Sequence, residues 1–561
     1  MCAVPVLKTK QPRGFLVANL FLTQRAQRED TEGRGGGAFG KLAYMRLARV
    51  KEGLPGWRSA LLAVAAAILL VLAFPDFDLW FLAWIALVPL MWAVEREKES
   101  IPRAFLTGWI FGTAFFFGSC WWLTYAPITY AGFPVLLAYF LFFCVAAAAG
   151  LFPAAFAGLL ALLLRRFGSV AMLAAPFVWV ATEFARYWIT GNNWNALGYS
   201  QAYHPETAKF AAFGGVLLVS FLLFVGNSIL TFWILNRRRY YVLPVAAIFF
   251  LFVAFVDSGS PNEFIPVWPG PVVAKVAALQ PNVPMSGLTY EKWQALRQRH
   301  VRLAESALQK LAIDNRQPTT VIFPESPMNF MYETDAETRA FIDGFAARNN
   351  VSVIFNSAEP DGEKAFFNSA VMVGPGRGEI AQYDKIFLLP FGESVPAPLR
   401  AIVPAFVGSF SYGSEYDLLP LGDAKGGVMI CFESHFGELS REYVRNGADV
   451  LIEMTNDGYL GQTPVLRQHL ANAVFRAVET NRPVLRVTNV GITAYISERG
   501  EVIDAAQPYT EDTRVWSVAR SDGSQTLYVR WGDWFAWVCV VVTLGLLVFG
   551  YGRQRRQTYK A

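Results

Sequence analysis

Three residues of this chain have side chains whose types, taken together, can transfer an acyl group. Glu325 lies in FPESP, Lys385 in YDKIFLLPFGE and Cys431 in ICFES. A thiol with an ordinary pKa of about 8.5 is mostly protonated at neutral pH, so a base must take its proton before it attacks. The Glu325 carboxylate is such a base. Attack on a carbonyl then makes an oxyanion, which needs a positive charge or N–H donors beside it. Lys385 and a backbone N–H near Cys431 supply these. Each residue also has a plainer reading: a lone cysteine packs, a loop lysine is solvated, a glutamate caps. Their common place just past strand-like runs argues for a joint role, because α/β folds gather their sites at strand ends.

Those runs define the element class. VVAKVAAL (272–279), TTVIFP (319–324), VSVIFN (351–356), AVMVG (370–374), GGVMIC (426–431) and ADVLIEM (448–454) are short, rich in β-branched residues and closed by turn residues, as strands are. Helix-like segments at Tyr290–Leu311, Thr334–Arg348 and Pro464–Thr480 alternate with them. The alternation predicts an α/β domain over 258–532. A long segment, 390–420, reads as a lid or binding loop, or as ordinary loop packing.

The rest of the chain is of another kind. Hydrophobic residues make up 54% of the 561 and charged residues only 17%, well below the quarter usual in soluble domains. A bilayer-spanning helix needs about 20 apolar residues. Seven such stretches precede residue 257, at about 57–74, 77–94, 105–125, 133–164, 169–187, 210–235 and 240–256, with Pro153 a kink point in the fourth. An eighth lies at about 534–551, within 533–552. Residues 1–56 form a basic N-terminal segment, with Met45 an alternative start, and 553–561 a tail. Basic residues favour the cytoplasmic side of short loops. Arg46 and Lys51, Arg96 and Lys98, Arg165 and Arg166, Arg237 to Arg239, and Arg553 to Arg556 mark one side, while the intervening short connections at Pro75–Asp76 and Ala126–Gly132 carry no Lys or Arg. This pattern puts both termini in the cytoplasm and 258–532 on the opposite side.

Other candidates are weaker. The segment 186–209 carries Trp188, Trp194, Tyr199 and Tyr203, either an interfacial aromatic belt or a lipid-binding loop in which Trp194 and Tyr199 take part. Glu183 and Arg186 have the spacing of a helical ion pair. The five cysteines include no CxxC pair, and His204, His300, His435 and His469 read as isolated polar residues, so neither a metal nor a cofactor is expected. A net charge of only +5 gives no reason to expect a nucleic-acid partner.

The order Glu, Lys, Cys, in PES, DK…PFGE and ICFE contexts, resembles the carbon–nitrogen hydrolase (nitrilase) superfamily, whose Glu–Lys–Cys triad sits on an αββα sandwich. With apolar helices before and after, residues of about 57–551 are similar to the apolipoprotein N-acyltransferase family within it. LQPNVP (279–284), GLTYEKW ending at Trp293, NDGYLG (456–461) and RPVLRVTNVGITAYI (482–496) carry the same likeness. The resemblance implies a multi-pass α-helical membrane domain plus a nitrilase-like sandwich, in the inner membrane of a bacterium with the sandwich in the periplasm. By position it implies Cys431 as the acylated nucleophile, Glu325 as general base, Lys385 as oxyanion stabiliser and Glu393 as supporting carboxylate. Trp293, Glu433 and Phe432 match further positions of interest. Phe432 stands where the family often has tyrosine, and GNNW at Trp194 stands where GFPW is expected. The implied reaction moves an acyl chain from a membrane phospholipid, through a cysteine thioester, to the α-amino group of a diacylglyceryl-modified apolipoprotein. A membrane-tethered amidase with the same triad is the alternative. A non-enzymatic transporter or scaffold ranks last, since few charges lie inside the apolar runs.

Overall fold

A computed structural model of the protein describes residues 53–236, 270–311, 319–362, 365–390, 392–395 and 410–558, with Pro244, Ala247 and Leu251 as isolated positions. Most of the basic N-terminal segment, the helix expected at 240–256 and the centre of the 390–420 loop lie outside the described residues.

The apolar runs fold as helices. Three helical stretches among the described residues are long and apolar enough to cross a membrane, Val135–Thr190, Ala211–Leu235 and Trp534–Gly552, and Ile101–Ser119 with Trp121–Thr129 makes a fourth bent by 65°. Trp57–Leu72 is apolar but shorter. Leu136, Phe140 and Val145 on one helix, and Val541, Val548 and Phe549 on another, stay exposed. An exposed apolar surface of this extent fits a lipid surround.

Two expectations need revision. The stretch 77–94 is not one helix. A 3-10 turn at Trp80–Trp84 precedes a separate helix, Val88–Glu97, with proline in its first turn. Asp78, at φ +55°, sits in the turn between this stretch and the preceding helix. The run 133–164 divides at Gly150 into Val135–Ala149 and Leu151–Phe167. Pro153 is the cause: its ring conflicts with the carbonyl four residues back but is tolerated in a first turn. Gly150 is also where the neighbouring helix approaches, since a Cβ there would meet Thr113 Oγ1 at 2.8 Å.

Between Ala211–Leu235 and Trp534–Thr558, the chain builds two sheets. The first uses β1 (Val272–Gln280), β2 (Thr319–Ile322), β3 (Ser352–Asp361), β4 (Ala365–Gly374), β5 (Gly378–Asp384), β6 (Phe410–Ser411) and β13 (Asp512–Ala519), ordered β13-β1-β2-β3-β4-β5 with β6 beside β4. The second is β12-β11-β10-β9-β8-β7, from β7 (Leu418–Leu421), β8 (Ala424–Ile430), β9 (Val450–Thr455), β10 (Val484–Thr488), β11 (Ala494–Ile496) and β12 (Val502–Ile503). β1, β2 and β3 run parallel, as do β8, β9 and β10. Strands buried on both faces read as continuous apolar runs, which is why VLIEMT and VLRVT lack alternation. Tyr290–Leu311 and Ala336–Asn349 cover the first sheet; Gly437–Arg445 and Val465–Thr480 cover the second. The result is an αββα sandwich.

Val465–Thr480 lies between the sandwich and the apolar helices, and all its residues but Arg467 are buried. Gln468, His469, Asn472, Arg476 and Glu479 are polar and buried there. Buried polar groups need partners, and most of theirs come from the two parts they join. Gln468 Oε1 accepts from Trp122 Nε1 at 3.1 Å and Trp194 Nε1 at 3.0 Å, while its Nε2 donates to Ser119 O at 2.9 Å.

Candidate active site

The ends of four strands converge. Glu325 follows β2 by three residues, Lys385 follows β5 directly, Cys431 follows β8 directly and Asp457 follows β9 by two. Cys431 opens a 3-10 turn, Cys431–His435, and holds φ +55°. A non-glycine residue pays for that left-handed conformation, and such residues cluster at functional sites.

The three sequence-level candidates meet. The Glu325 carboxyl and the Cys431 thiol act on each other electrostatically, and the Lys385 ammonium acts on both. Burial pushes the Glu325 carboxyl up, against the pull of Lys385. Burial and the adjacent Glu325 charge also hold the Cys431 thiol well above its usual range, against the pull of Lys385. For Lys385, burial opposes the charge, but Glu393 and Glu325 outweigh it and keep the ammonium protonated. The Lys385 side chain is only 1% exposed and lies 2.8 Å from the Glu393 carboxylate. Glu393 is itself held by Asn368 Nδ2 at 2.6 Å and Leu389 N at 2.8 Å. A carboxyl and a thiol that share one buried site, with a fixed ammonium acting on both, are equipped for proton abstraction followed by oxyanion stabilisation.

Glu433 stitches the site together. Its Oε1 accepts from Tyr383 Oη at 2.7 Å, Ile386 N at 2.7 Å and Phe387 N at 3.0 Å, while Oε2 accepts from Ile430 N at 2.8 Å. One carboxylate thus ties the chain after Lys385 to the chain before Cys431. Burial, partly offset by Lys385, raises its pKa to about 7.

The remaining candidates lie farther out. Phe432 stacks on His435 with ring centroids 5.6 Å apart. Trp293 starts the helix over the first sheet, with the Arg297 guanidinium 4.2 Å above its ring and Phe330 edge-on at 5.7 Å. Tyr199 is 3% exposed and packs against Phe475 and His435, in the junction between helices and sandwich. Trp194 lies in the same junction. Glu183 and Arg186 grip the intervening loop: Glu183 Oε1 accepts from Leu197 N at 2.8 Å, and Arg186 donates to Trp194 O at 2.8 Å and Asn193 Oδ1 at 3.0 Å.

Two histidines read as isolated belong to the site's surroundings. His435 Nε2 accepts from Asn193 N at 2.8 Å, linking the Cys431 turn to the helical part. His469 lies within hydrogen-bonding distance of the Cys431 carbonyl and Asp457. The only sequence signal was their placement, four residues after Cys431 and on the helix after NDGYLG; the contacts are between elements far apart in the chain. Among the described residues no cluster of His, Cys, Asp and Glu has the geometry to hold a metal.

A Glu–Lys–Cys cluster at converging strand ends of an αββα sandwich defines a carbon–nitrogen hydrolase of the nitrilase superfamily, and the carbon–nitrogen hydrolase model matches residues 275–528. The model of the apolipoprotein N-acyltransferase N-terminal domain matches residues 66–229. The apolipoprotein N-acyltransferase of Geobacter metallireducens is 32% identical over 499 residues, covering 86% of this chain and 93% of that protein. That of Vibrio cholerae is 30% identical over 518 residues, covering 88% and 97%. The chain therefore belongs to the apolipoprotein N-acyltransferase family, and its apolar helices are those of a bacterial membrane protein. A solved carbon–nitrogen hydrolase from Helicobacter pylori matches at 18% identity, covering 44% of this chain and 89% of its own, with a TM-score of 0.35.

Proposed function

We propose that the protein transfers an acyl chain from a membrane phospholipid to the N-terminus of a diacylglyceryl-modified apolipoprotein, in two half-reactions at Cys431. The carrying observation is that Glu325, Lys385 and Cys431 stand just past the ends of three strands and act on one another electrostatically, with Lys385 fixed 2.8 Å from Glu393. In the first half-reaction Glu325 takes the thiol proton and sulfur bonds to the ester carbonyl carbon. The oxyanion is held by Lys385 and the Phe432 N–H. The ester C–O bond then breaks, and Glu325 returns the proton to the departing lysophospholipid oxygen. In the second, the acceptor's free α-amino nitrogen attacks the thioester, the C–S bond breaks, and the amine proton passes through Glu325 to the thiolate. Glu393 keeps Lys385 aimed, and Glu433 holds both segments together.

Both substrates live in the bilayer, and the helical part has an extensive exposed apolar surface, which supports this reading over a soluble amide. In this reading 57–257 form seven spans and 533–552 an eighth. The sandwich, 258–532, faces the periplasm from the inner membrane, and both termini are cytoplasmic. Trp194 and Tyr199 shape the wall between helices and sandwich, on which the acyl donor is admitted, and Trp293 and Phe432 frame the site.

The test is mass spectrometry of the purified protein after incubation with phospholipid, beside Cys431→Ser. A hydroxylamine-labile acyl mass on the Cys431 peptide, discharged by a diacylated lipopeptide, is expected. No adduct on folded, membrane-embedded wild type, together with hydrolysis of small amides, would establish the tethered amidase instead.

A further inference from the structure

His469 is placed behind the nucleophile, not beside its sulfur. Its Nδ1 is 2.6 Å from Asp457 Oδ1 and its Nε2 3.1 Å from the Cys431 carbonyl oxygen. Glu453 Oε1 is also 3.1 Å from Nε2, but makes no hydrogen bond there and acts as a neighbouring charge. Arg486 pairs with both Glu453 and Asp457, reaching Asp457 Oδ2 at 2.7 Å. All four residues are buried. Two carboxylates and one guanidinium leave one negative charge over, which a protonated His469 balances. Burial works against that proton, but Asp457 and Glu453 outweigh burial and Arg486, and the pKa rises to about 9. Both ring nitrogens are then donors.

The Cys431 carbonyl belongs to the peptide unit that carries the Phe432 N–H. A peptide is planar and its C=O and N–H point in opposite directions. Holding the oxygen therefore aims the N–H. The Phe432 N–H is at the start of a 3-10 turn, where N–H groups have no partner within the turn.

From this we infer that His469, oriented by Asp457, is a positioning residue that aims the Phe432 N–H at the developing oxyanion by holding the Cys431 carbonyl from behind. The inference rests on the acyl-enzyme reading above. It separates two reactions of the same thiol. Acylation by an ester passes through an oxyanion and needs the aimed N–H. Alkylation by iodoacetamide displaces iodide at carbon, forms no oxyanion, and does not.

The experiment uses the full chain in phospholipid nanodiscs. It compares wild type, His469→Leu and His469→Gln for the single-turnover rate of Cys431 thioester formation and for the rate of Cys431 alkylation by iodoacetamide. In His469→Leu, acylation should fall by about 10²-fold, the scale of one lost oxyanion donor, with alkylation and half-saturating phospholipid nearly unchanged. His469→Gln, which keeps a donor on a similar stem, should recover most of the loss. Equal losses in acylation and alkylation would make the role structural and overturn the inference. Wild-type acylation in His469→Leu would also overturn it. If His469→Leu does not fold, His469→Gln and Asp457→Asn carry the same comparison, and a lack of any acylation-selective defect in Asp457→Asn is the overturning result. Wild type that alkylates but never acylates fails the function reading, not this one.

Discussion

The Glu479 carboxylate accepts a hydrogen bond from the backbone N–H of Val216 at 2.9 Å, across 263 residues of sequence. That N–H is free because the apolar helix Ala211–Leu235 breaks at Gly214 and Gly215, the latter at φ +72°, where the Tyr528 ring occupies the space of a side chain. Glu479 also pairs with Arg476 at 2.6 Å, and Arg476 Nη1 donates to the carbonyl of His435 at 2.9 Å. A kink in an apolar helix is thereby joined through two buried charges to the turn that carries Cys431.

Glu479→Leu should therefore be costly. It strands the Arg476 guanidinium and the Val216 N–H in the interior, and removing one partner of a buried pair costs about 3–5 kcal/mol. Thermal unfolding in detergent should show the loss, and Arg476→Leu added to Glu479→Leu should restore part of it. A melting temperature equal to wild type in the single variant would contradict the joint described here.

The reacting groups predict a graded series. Cys431→Ala should form no thioester. Glu325→Gln removes the proton acceptor and should slow acylation by about 10²–10⁴-fold. Lys385→Met removes the fixed cation and should cost about 10²–10³-fold. Quenched single-turnover assays with labelled phospholipid measure all three, and rapid acylation of Glu325→Gln would assign the base elsewhere.

Glu433→Gln looks conservative and should not be. All four groups facing the carboxylate are donors, from Tyr383, Ile386, Phe387 and Ile430. An amide must turn its own NH2 toward one of them, leaving a buried donor unpaired at about 1–3 kcal/mol. Both the melting temperature and acylation should drop. Wild-type values for both would mean the four-donor cradle relaxes at no cost.

His469 should make stability pH-dependent on the alkaline side. The groups facing it are Asp457, Glu453 and Arg486, with His435 from the Cys431 turn. Its folded-state pKa of about 9 lies above the ordinary 6.5, so the folded protein holds the proton more tightly than the unfolded chain. The contribution is complete below pH 6.5 and is lost as pH rises through 9. The melting-temperature gap between wild type and His469→Gln should narrow over that range. A gap constant with pH would show that the ring is not an imidazolium.

Much of this was legible in the linear chain. Apolar runs of about 20 residues in the first half pointed to helices, because a helix satisfies its backbone hydrogen bonds within one segment, whereas strands in an apolar surround must close into a barrel. β-branched runs closed by turns became strands within a few residues of their expected ends: VVAKVAAL became Val272–Gln280 and GGVMIC became Ala424–Ile430. Glu325 and Cys431 stood out because each lies at the end of such a run, a local feature; the strand that Lys385 follows, Gly378–Asp384, matched none of the runs.

What tertiary structure alone decided is the partner of each buried polar group. Nothing near His469 in sequence announces that it faces Cys431, 38 residues earlier, and nothing near Gln468 announces two tryptophans from the helical part. The same holds for Glu183 and Arg186, whose spacing fits an ion pair but whose side chains bind the loop 193–197. Spacing along a helix says which residues share a face. It cannot say what lies opposite that face, because that depends on how separate elements pack, and packing is where the desolvation cost of a buried charge is either met or left unmet.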